Sequence, residues 1–312
     1  MGQIYSLSAG SDELDVHIGK LTLTNPTVLA AGIMGSAASS LRRVMTCGAG
    51  GVVTKSVGLT PREGHPGPVL VETSSGFLNA LGLPNAGLAF TGELQQLVAE
   101  AERKPLIVSI FGANADEFVE LARAFCRFAD ALELNLSCPH ARGYGIEVGS
   151  EPALVQSITR SVKKQVALPV WVKLTPNVTD ITEIGHAAEK GGADAVVAIN
   201  TVKGMAIDVE SGRPVLGNAF GGLSGSAIRP VAVKCVYDLY EALRIPIVGV
   251  GGVSSYEDAL ELIMAGAKAI QIGSAVARDL SIFKSVADGI DRYLARKGIT
   301  LEDAVGIAHE SH

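Results

Sequence analysis

Two lysines and one cysteine stand where apolar, strand-like segments meet loops. Lys55 ends the run GVVTK, Lys173 lies near the end of VWVKL, and Cys138 follows ALELN in a Ser-Cys-Pro-His loop. A single lysine at such a place usually extends its ammonium to solvent, and a single cysteine is usually a small buried apolar residue. Two ammonium groups on inward-facing strands, however, need anionic partners. The lysines therefore predict a site for an anionic ligand, and the loop predicts an exposed Cys138 thiol.

Asparagines and glycines end other apolar segments. Asn135 and Asn200 each close a strand-like run. They are candidates for the site, and a role in turn formation is the alternative. Gly251-Gly252 and Gly273-Ser274 each precede a helical pattern, and residues 221–225 add a third glycine-rich stretch. Backbone N–H groups at a helix start bind phosphate. Glycines that only permit tight turns are the alternative, but the paired placement favours a phosphate site.

Eight apolar runs of strand length carry these residues and alternate with helical patterns. They cover residues 27–31, 52–55, 106–110, 131–135, 170–174, 195–200, 247–250 and 269–272, after a hairpin-like pair at 15–18 and 21–24. Repeated strand–helix units predict a parallel sheet. Eight units that close on themselves predict one α/β domain over residues 1–312, a (β/α)8 TIM barrel with an N-terminal β-hairpin. An open doubly wound sheet is the alternative.

Long loops are predicted after the second, fourth and sixth strands, and those after the second and sixth cover residues 56–89 and 201–227. All three leave the carboxyl ends of strands, the face where barrel enzymes keep their chemistry. Long loops at such a place are typically functional. The lysines, the asparagines and Cys138 are therefore expected to converge on one mouth of the barrel.

Composition excludes several classes of function. The net charge is -6 and no run of Lys or Arg exceeds two residues, so nucleic acid and anionic membranes are poor partners. The four cysteines form no C-x-x-C pair, so no metal or iron–sulfur site is expected in this chain. Sparse cysteine, no signal-peptide pattern and no apolar run of ~20 residues predict a cytoplasmic protein.

Six segments, in this order, resemble the dihydroorotate dehydrogenases. They are T-K-S at 54–56, N-A-L-G-L-P-N at 79–85, N-L-S-C-P at 135–139, V-K-L at 172–174, N-T at 200–201 and G-V-G-G at 249–252. The resemblance runs from about Leu14 to Leu294, and the second and third segments are its specific part. It implies FMN-dependent oxidation of (S)-dihydroorotate to orotate in the biosynthesis of pyrimidines (UMP).

The resemblance also implies roles for individual residues. Cys138 would be the base that removes the proton from carbon 5, since a thiolate can act near neutral pH, and Lys55 would lie between flavin and substrate. The implied substrate contacts are Lys55, Asn79, Gly82, Leu83, Asn135, His140, Asn200 and Thr201. The implied FMN contacts are Ala31, Gly32, Lys55, Ser56, Asn135, Lys173, Ile199, Gly225, Gly251, Gly252, Gly273 and Ser274, with Lys173 facing flavin N1.

A cysteine at position 138 resembles the soluble class of the family, because the membrane-bound members use a serine as the base. The opening LDVHIGKLTLTNP and the Asn79-Ala80-Leu81 segment resemble the NAD-linked branch, which implies a heterotetramer with a partner subunit that carries FAD and a 2Fe-2S cluster. A fumarate-reducing homodimer is the alternative within the class. His140 stands where many members of the family have asparagine after the Cys-Pro pair. The Cys-Pro-His sequence resembles the dihydropyrimidine dehydrogenases, which are the nearest enzymatic alternative. A phosphate-binding barrel without redox chemistry is a further alternative, which leaves Lys55, Cys138 and Lys173 unexplained.

Overall fold

The computed structural model describes residues 14–99, 103–136 and 146–310. The strands in these ranges are β1 (Val16–Ile18), β2 (Leu21–Leu23), β3 (Thr27–Leu29), β4 (Gly51–Val53), β5 (Leu70–Thr73), β6 (Gly76–Asn79), β7 (Leu106–Ile110), β8 (Ala131–Asn135), β9 (Val170–Lys173), β10 (Ala195–Ala198), β11 (Val202–Gly204), β12 (Ile207–Asp208), β13 (Arg213–Pro214), β14 (Gly221–Ser224), β15 (Ile247–Val250) and β16 (Ala267–Ile272). The helices there are α1 (Ala38–Thr46), α2 (Thr91–Val98), α3 (Ala115–Phe125), α4 (Ile146–Ser150), α5 (Pro152–Lys163), α6 (Ile181–Gly191), α7 (Arg229–Ala242), α8 (Tyr256–Met264), α9 (Ile282–Lys297) and α10 (Leu301–Ala304).

Eight parallel strands close into a barrel in the order β3, β4, β7, β8, β9, β10, β15 and β16. Strand β16 pairs with β3 and completes the circle. The strands are apolar without alternation because both of their faces are buried, one in the barrel and one under the helices; β7 and β8 are buried at every position. The closed barrel confirms the predicted (β/α)8 fold, and the open-sheet alternative is wrong.

The surrounding helices begin and end at residues suited to those positions. The side chain of Asn114 caps α3 by accepting from two backbone N–H groups of its first turn. Ser255 and Asp258 form a reciprocal capping box at the start of α8. Helix α6 ends at Gly192, whose φ of 92° is the left-handed conformation that glycine adopts readily. The first two caps lie where the chain leaves a strand at the mouth of the barrel, and Gly192 lies at the opposite end, where the chain enters β10.

The predicted N-terminal hairpin is present as the antiparallel pair β1–β2. Ile18 and Leu23 bury their side chains completely against the core. The hairpin lies at the amino-terminal end of the barrel, where the Nζ of Lys104, just before β7, donates to the Oγ1 of Thr24 at 2.9 Å. The hairpin therefore covers the end opposite the predicted site.

A second, four-stranded antiparallel sheet rises above the carboxyl ends of the barrel strands, in the order β11, β14, β6, β5. It is built from the two segments that the sequence predicts as long loops. Gly222 of β14 pairs with Asn79 of β6, and a Cβ on Gly221 would lie 2.3 Å from the carbonyl oxygen of Asn79. Glycine is required there because the two backbones approach so closely. The sheet forms one wall over the mouth of the barrel.

Candidate active site

A cavity of about 330 Å³ opens at the carboxyl ends of the barrel strands, between the barrel and the four-stranded sheet. Its volume lies at the lower end of the range for small-molecule sites. Every predicted ligand-contacting residue within the described ranges lines it: Ala31, Gly32, Lys55, Ser56, Asn79, Gly82, Leu83, Asn135, Lys173, Ile199, Asn200, Thr201, Gly225, Gly251, Gly252, Gly273 and Ser274. The fold thus brings these residues together, and their individual roles stay predictions.

The floor of the cavity holds a buried ion pair. The Nζ of Lys173 lies 3.7 Å from Oε1 of Glu133 and donates to Oε1 of Gln271 at 3.2 Å. The Nε2 of Gln271 donates to Oε2 of Glu133 at 2.7 Å. All three residues are buried, with an exposed fraction of 0% for Glu133 and Gln271 and 5% for Lys173. Lys173 therefore presents a fixed ammonium at the cavity, with its counter-charge beneath it.

A second group of buried polar side chains adjoins this pair. The Nδ2 of Asn135 donates to the Oγ of Ser56 at 2.9 Å. The hydroxyls of Ser56 and Ser109 share a hydrogen bond of 2.9 Å, and that of Ser109 donates to Glu133 at 3.4 Å. The floor is thus one continuous network of polar groups, which holds its members in place because an unmade buried hydrogen bond is costly.

Lys55 stands at the side of the cavity, after β4. Its backbone N–H donates to the carbonyl oxygen of Gly35 at 3.0 Å, which holds the chain in position. Its side chain is partly buried, and burial lowers the pKa of its ammonium below the ordinary 10.5. Among the described residues no carboxylate pairs with it. A bound carboxylate would supply the missing counter-charge.

Amide side chains and a tight backbone turn also line the cavity. The Nδ2 of Asn79 donates to the carbonyl oxygen of Gly222 at 3.2 Å, and the Oδ1 of Asn200 accepts from the backbone N–H of Thr201 at 2.8 Å. Gly82 and Leu83 both have positive φ, at 75° and 59°. The chain therefore turns sharply where these two residues line the cavity.

Glycines shape the far end of the cavity. Gly225 and Gly252 have φ of 95° and 75°. A Cβ on Gly252 would lie 2.7 Å from the Cβ of Arg229 and 2.9 Å from the carbonyl oxygen of Gly225. Gly273 leads into a short 3-10 turn at Ser274–Ala277, and α9 begins at Ile282, where the sequence predicts it. The backbone here is packed too closely for side chains, as in sites that hold phosphate by main-chain N–H groups.

Cys138 and His140 lie outside the described residues. Asn135, three residues before Cys138, lines the cavity. The structure also identifies polar residues on the floor that sequence reasoning missed, namely Ser109, Glu133 and Gln271. Their signal was a polar side chain within an otherwise apolar strand, as in LIVSI, ALELN and AKAIQI. A buried polar residue in such a strand requires partners inside the barrel.

A closed parallel barrel with a cavity at the carboxyl ends of its strands, lined by Lys55 and Lys173, has the architecture of a (β/α)8-barrel enzyme. A family model described as dihydroorotate dehydrogenase matches residues 13–294, and the chain belongs to this family. Members of the family use FMN. The resemblance drawn from the sequence is thereby confirmed.

Several known proteins are similar to this chain over most of its length. A protein of Methanosarcina mazei named dihydroorotate dehydrogenase B (NAD(+)), catalytic subunit, is 59% identical over 93% of this chain and 93% of its own. One of Methanocella arvoryzae with the same name is 55% identical over 95% and 98%. A crystal structure of DHODH from Eimeria tenella in complex with ferulenol superposes with a TM-score of 0.84 at 26% identity, covering 98% of this chain and 91% of the other.

The cavity fits the flavin of the family on its own features. The Lys173 ammonium on the floor suits the N1 side of an isoalloxazine ring, where reduction places negative charge. Gly225, Gly251, Gly252 and Gly273 line the far end of the cavity without side chains, which leaves their backbone accessible to a phosphate. Among the described residues no group of His, Cys, Asp and Glu could hold a metal ion. No helix in the described part of the chain is long and apolar enough to cross a membrane.

Proposed function

We propose that this chain is the FMN-bearing catalytic subunit of a dihydroorotate dehydrogenase, which oxidises (S)-dihydroorotate to orotate for pyrimidine (UMP) biosynthesis. Its family supports an oxidoreductase that acts on a CH–CH group. The observation that carries the proposal is the placement of Lys55 and Lys173 on one cavity. One ammonium suits a carboxylate substrate and the other suits a reduced flavin.

Bound FMN supplies the acceptor for the hydride that leaves carbon 6 of the substrate. Lys173 holds a positive charge at the N1 side of the ring, where its contacts to Glu133 and Gln271 fix it. The ring would lie against Ala31, Gly32, Ser56, Asn135 and Ile199, and the phosphate would be held by Gly225, Gly251, Gly252, Gly273 and Ser274.

The substrate is proposed to lie between the ring and the four-stranded sheet. Asn79, Asn135, Asn200 and Thr201 would bond its amide edges, because a pyrimidine ring presents N–H donors and carbonyl acceptors that amide side chains match. The backbone of Gly82 and Leu83 would donate to the carboxylate. Lys55 would neutralise that carboxylate and draw its ring toward the flavin.

Cys138 is proposed to remove the proton from carbon 5 on the face of the substrate away from the flavin. A thiolate suits this task near neutral pH when its surroundings favour ionisation. His140 would donate a hydrogen bond to the substrate, as a neutral imidazole or as a cation. Loss of this proton and of the hydride together creates the double bond of orotate.

The electrons are proposed to reach NAD through a partner subunit with FAD and a 2Fe-2S cluster. The names of the relatives support this, since both are called the catalytic subunit of an NAD(+) enzyme. We further propose a heterotetramer built on a homodimer of this chain, a cytoplasmic location, and one domain over residues 1–312. If the reduced protein passes its electrons to fumarate instead, the chain belongs to the fumarate-reducing, homodimeric branch of the family.

Anaerobic titration of the purified yellow protein tests the proposal. Dihydroorotate is expected to bleach the visible flavin band at a ratio of one substrate to one flavin, whereas dihydrouracil leaves the band unchanged. Reoxidation is then expected with NAD only when the partner subunit is present. Bleaching by dihydrouracil alone would transfer the chain to the dihydropyrimidine-type enzymes, and a colourless protein that takes up no FMN would contradict the proposal entirely.

A further inference from the structure

Glu133 places a fully buried carboxylate on the barrel floor, where neither substrate nor solvent reaches it. It belongs to β8, and its side chain is 0% exposed. Both of its oxygens are engaged, since Oε2 accepts from Gln271 at 2.7 Å and Oε1 lies 3.7 Å from the Nζ of Lys173. Burial of a carboxylate costs free energy unless an opposite charge lies beside it. The opposite charge beside Glu133 is the ammonium of Lys173.

Gln271 fixes the relative geometry of this pair. Its amide oxygen accepts from Lys173 at 3.2 Å while its amide nitrogen donates to Glu133. The acceptor end of the amide thus faces Lys173 and its donor end faces Glu133, which suits a cationic lysine beside an anionic carboxylate. The three side chains, from β8, β9 and β16, therefore form a closed ring of contacts across the barrel.

Few other charged groups surround the pair. Lys55 is the one further charged residue on the cavity wall within the described ranges. The side chains that hydrogen-bond to the pair within the described ranges are uncharged, namely Ser109 on β7 and Gln271 on β16. Among the described residues Glu133 is accordingly the one carboxylate in contact with the Lys173 ammonium.

The charge on the cofactor side changes during the reaction. Two-electron reduction of a flavin near neutral pH takes up one proton and leaves one negative charge beside N1. Burial without a counter-charge lowers the pKa of an ammonium, and a negative charge that appears beside it raises that pKa again. Reduction would then take up two protons, one on the flavin and one on the lysine.

We propose that Glu133 is a positioning residue that keeps Lys173 charged and directed at the flavin in both redox states, so that reduction adds no proton to Lys173. This inference rests on the proposed FMN site and assigns a role to a residue that touches neither cofactor nor substrate. In the intact enzyme two electrons and one proton convert the oxidised to the reduced flavin. In Glu133→Gln, two electrons and two protons are taken up, the second proton by a neutral Lys173.

The pH dependence of the flavin midpoint potential tests this, with dithionite as the reductant and no substrate present. From neutral to mildly alkaline pH, the unaltered holoprotein is expected to take up one proton per two electrons. Glu133→Gln is expected to take up two, which doubles the slope of potential against pH. Ser109→Ala removes a neutral contact to the same carboxylate and is expected to keep the slope of the unaltered protein.

The double variant Glu133→Gln/Lys173→Met identifies the site of the extra proton, because it removes the lysine and should restore one proton per two electrons. A slope in Glu133→Gln equal to that of the unaltered protein would overturn the inference, as would a doubled slope that persists in the double variant. If Glu133→Gln does not retain FMN, the unaltered protein decides alone, since uptake of two protons by it also contradicts the inference. Failure of dihydroorotate to reduce a normally titrating flavin would instead contradict the proposed function.

Discussion

The side-chain amide of Asn135 donates a 2.9 Å hydrogen bond to the hydroxyl of Ser56. The bond reaches from the end of β8 to the segment after β4 and passes over β7, which lies between these two strands in the barrel. In this arrangement the amide nitrogen of Asn135 faces Ser56. An amide fixed in this way can discriminate the donors and acceptors on the edge of a pyrimidine ring.

Removal of that acceptor should weaken substrate binding. In Ser56→Ala the amide of Asn135 loses one hydrogen bond, and we expect KM for dihydroorotate to rise about fivefold, a cost of about 1 kcal/mol. Steady-state kinetics give KM, and titration of the apoprotein gives the affinity for FMN. The exposed hydroxyl of Ser226, which donates to the carbonyl oxygen of Ser75 at 3.2 Å, provides the control Ser226→Ala. An unchanged KM in Ser56→Ala would contradict the proposed role of Asn135.

Replacement of the proposed base should separate catalysis from cofactor binding. Cys138→Ala is expected to bind FMN normally but to lose about 100-fold or more of its dihydroorotate oxidation, the usual contribution of a general base. Stopped-flow bleaching of the flavin measures this step directly. Cys126→Ala is the matched control, because that thiol lies at the end of α3 and donates to the carbonyl oxygen of Arg123 at 3.3 Å. Bleaching at the unaltered rate in Cys138→Ala would disprove the assignment.

The affinity for orotate should depend on the charge of Lys55. Burial lowers the pKa of Lys55, so its ammonium loses the proton at a lower pH than an exposed lysine does. Because the charged form attracts the carboxylate, affinity should be full at neutral pH and fall as the pH rises through this lowered pKa. Spectral titration of the flavin with orotate across this range measures it. Lys55→Met should bind weakly at every pH, and a fall of the same size in that variant would assign the titration to another group.

A side chain at Gly252 should disturb the proposed phosphate end. In Gly252→Ala the new methyl group would lie 2.7 Å from the Cβ of Arg229, at a φ of 75° that alanine adopts with strain. We expect a loss of about 1–3 kcal/mol in the free energy of unfolding, and weaker FMN binding. Gly92→Ala is the control, since nothing lies within 4 Å of its added Cβ and it lies within a helix. Thermal unfolding and FMN titration of both variants measure these effects, and equal FMN affinities would argue against a phosphate site here.

The barrel could be predicted from the sequence because its strands are recognisable as short apolar runs. Residues 106–110, 131–135 and 247–250 are apolar runs predicted with the bounds that the structure shows. Burial on both faces imposes such runs, whatever surrounds them. The cavity lining followed from the same rule, since the polar end of each parallel strand must reach one mouth.

The four-stranded sheet could not be predicted in this way. Strand β14 is Gly-Gly-Leu-Ser, and its pairing with β6 is decided by a partner far away in the chain. Strand propensity of so short a segment is weak and depends on its neighbours. Glu133 was overlooked because its role comes from Lys173 and Gln271, which only the closed barrel brings to it.

The wall that carries Asn79 has a consequence for the order in which the molecule assembles. The Nδ2 of Asn79 and the carbonyl oxygen of Gly222 are 143 residues apart in sequence, and four of the eight barrel strands, β7 to β10, lie between them. The entropy of closing so long a loop means that this contact forms only after the intervening strands have been laid down. A nascent chain that ends before Gly221 would thus contain Lys55 and Lys173 but lack strand β14 of the four-stranded sheet. The ability to bind substrate would be among the last properties that the chain acquires.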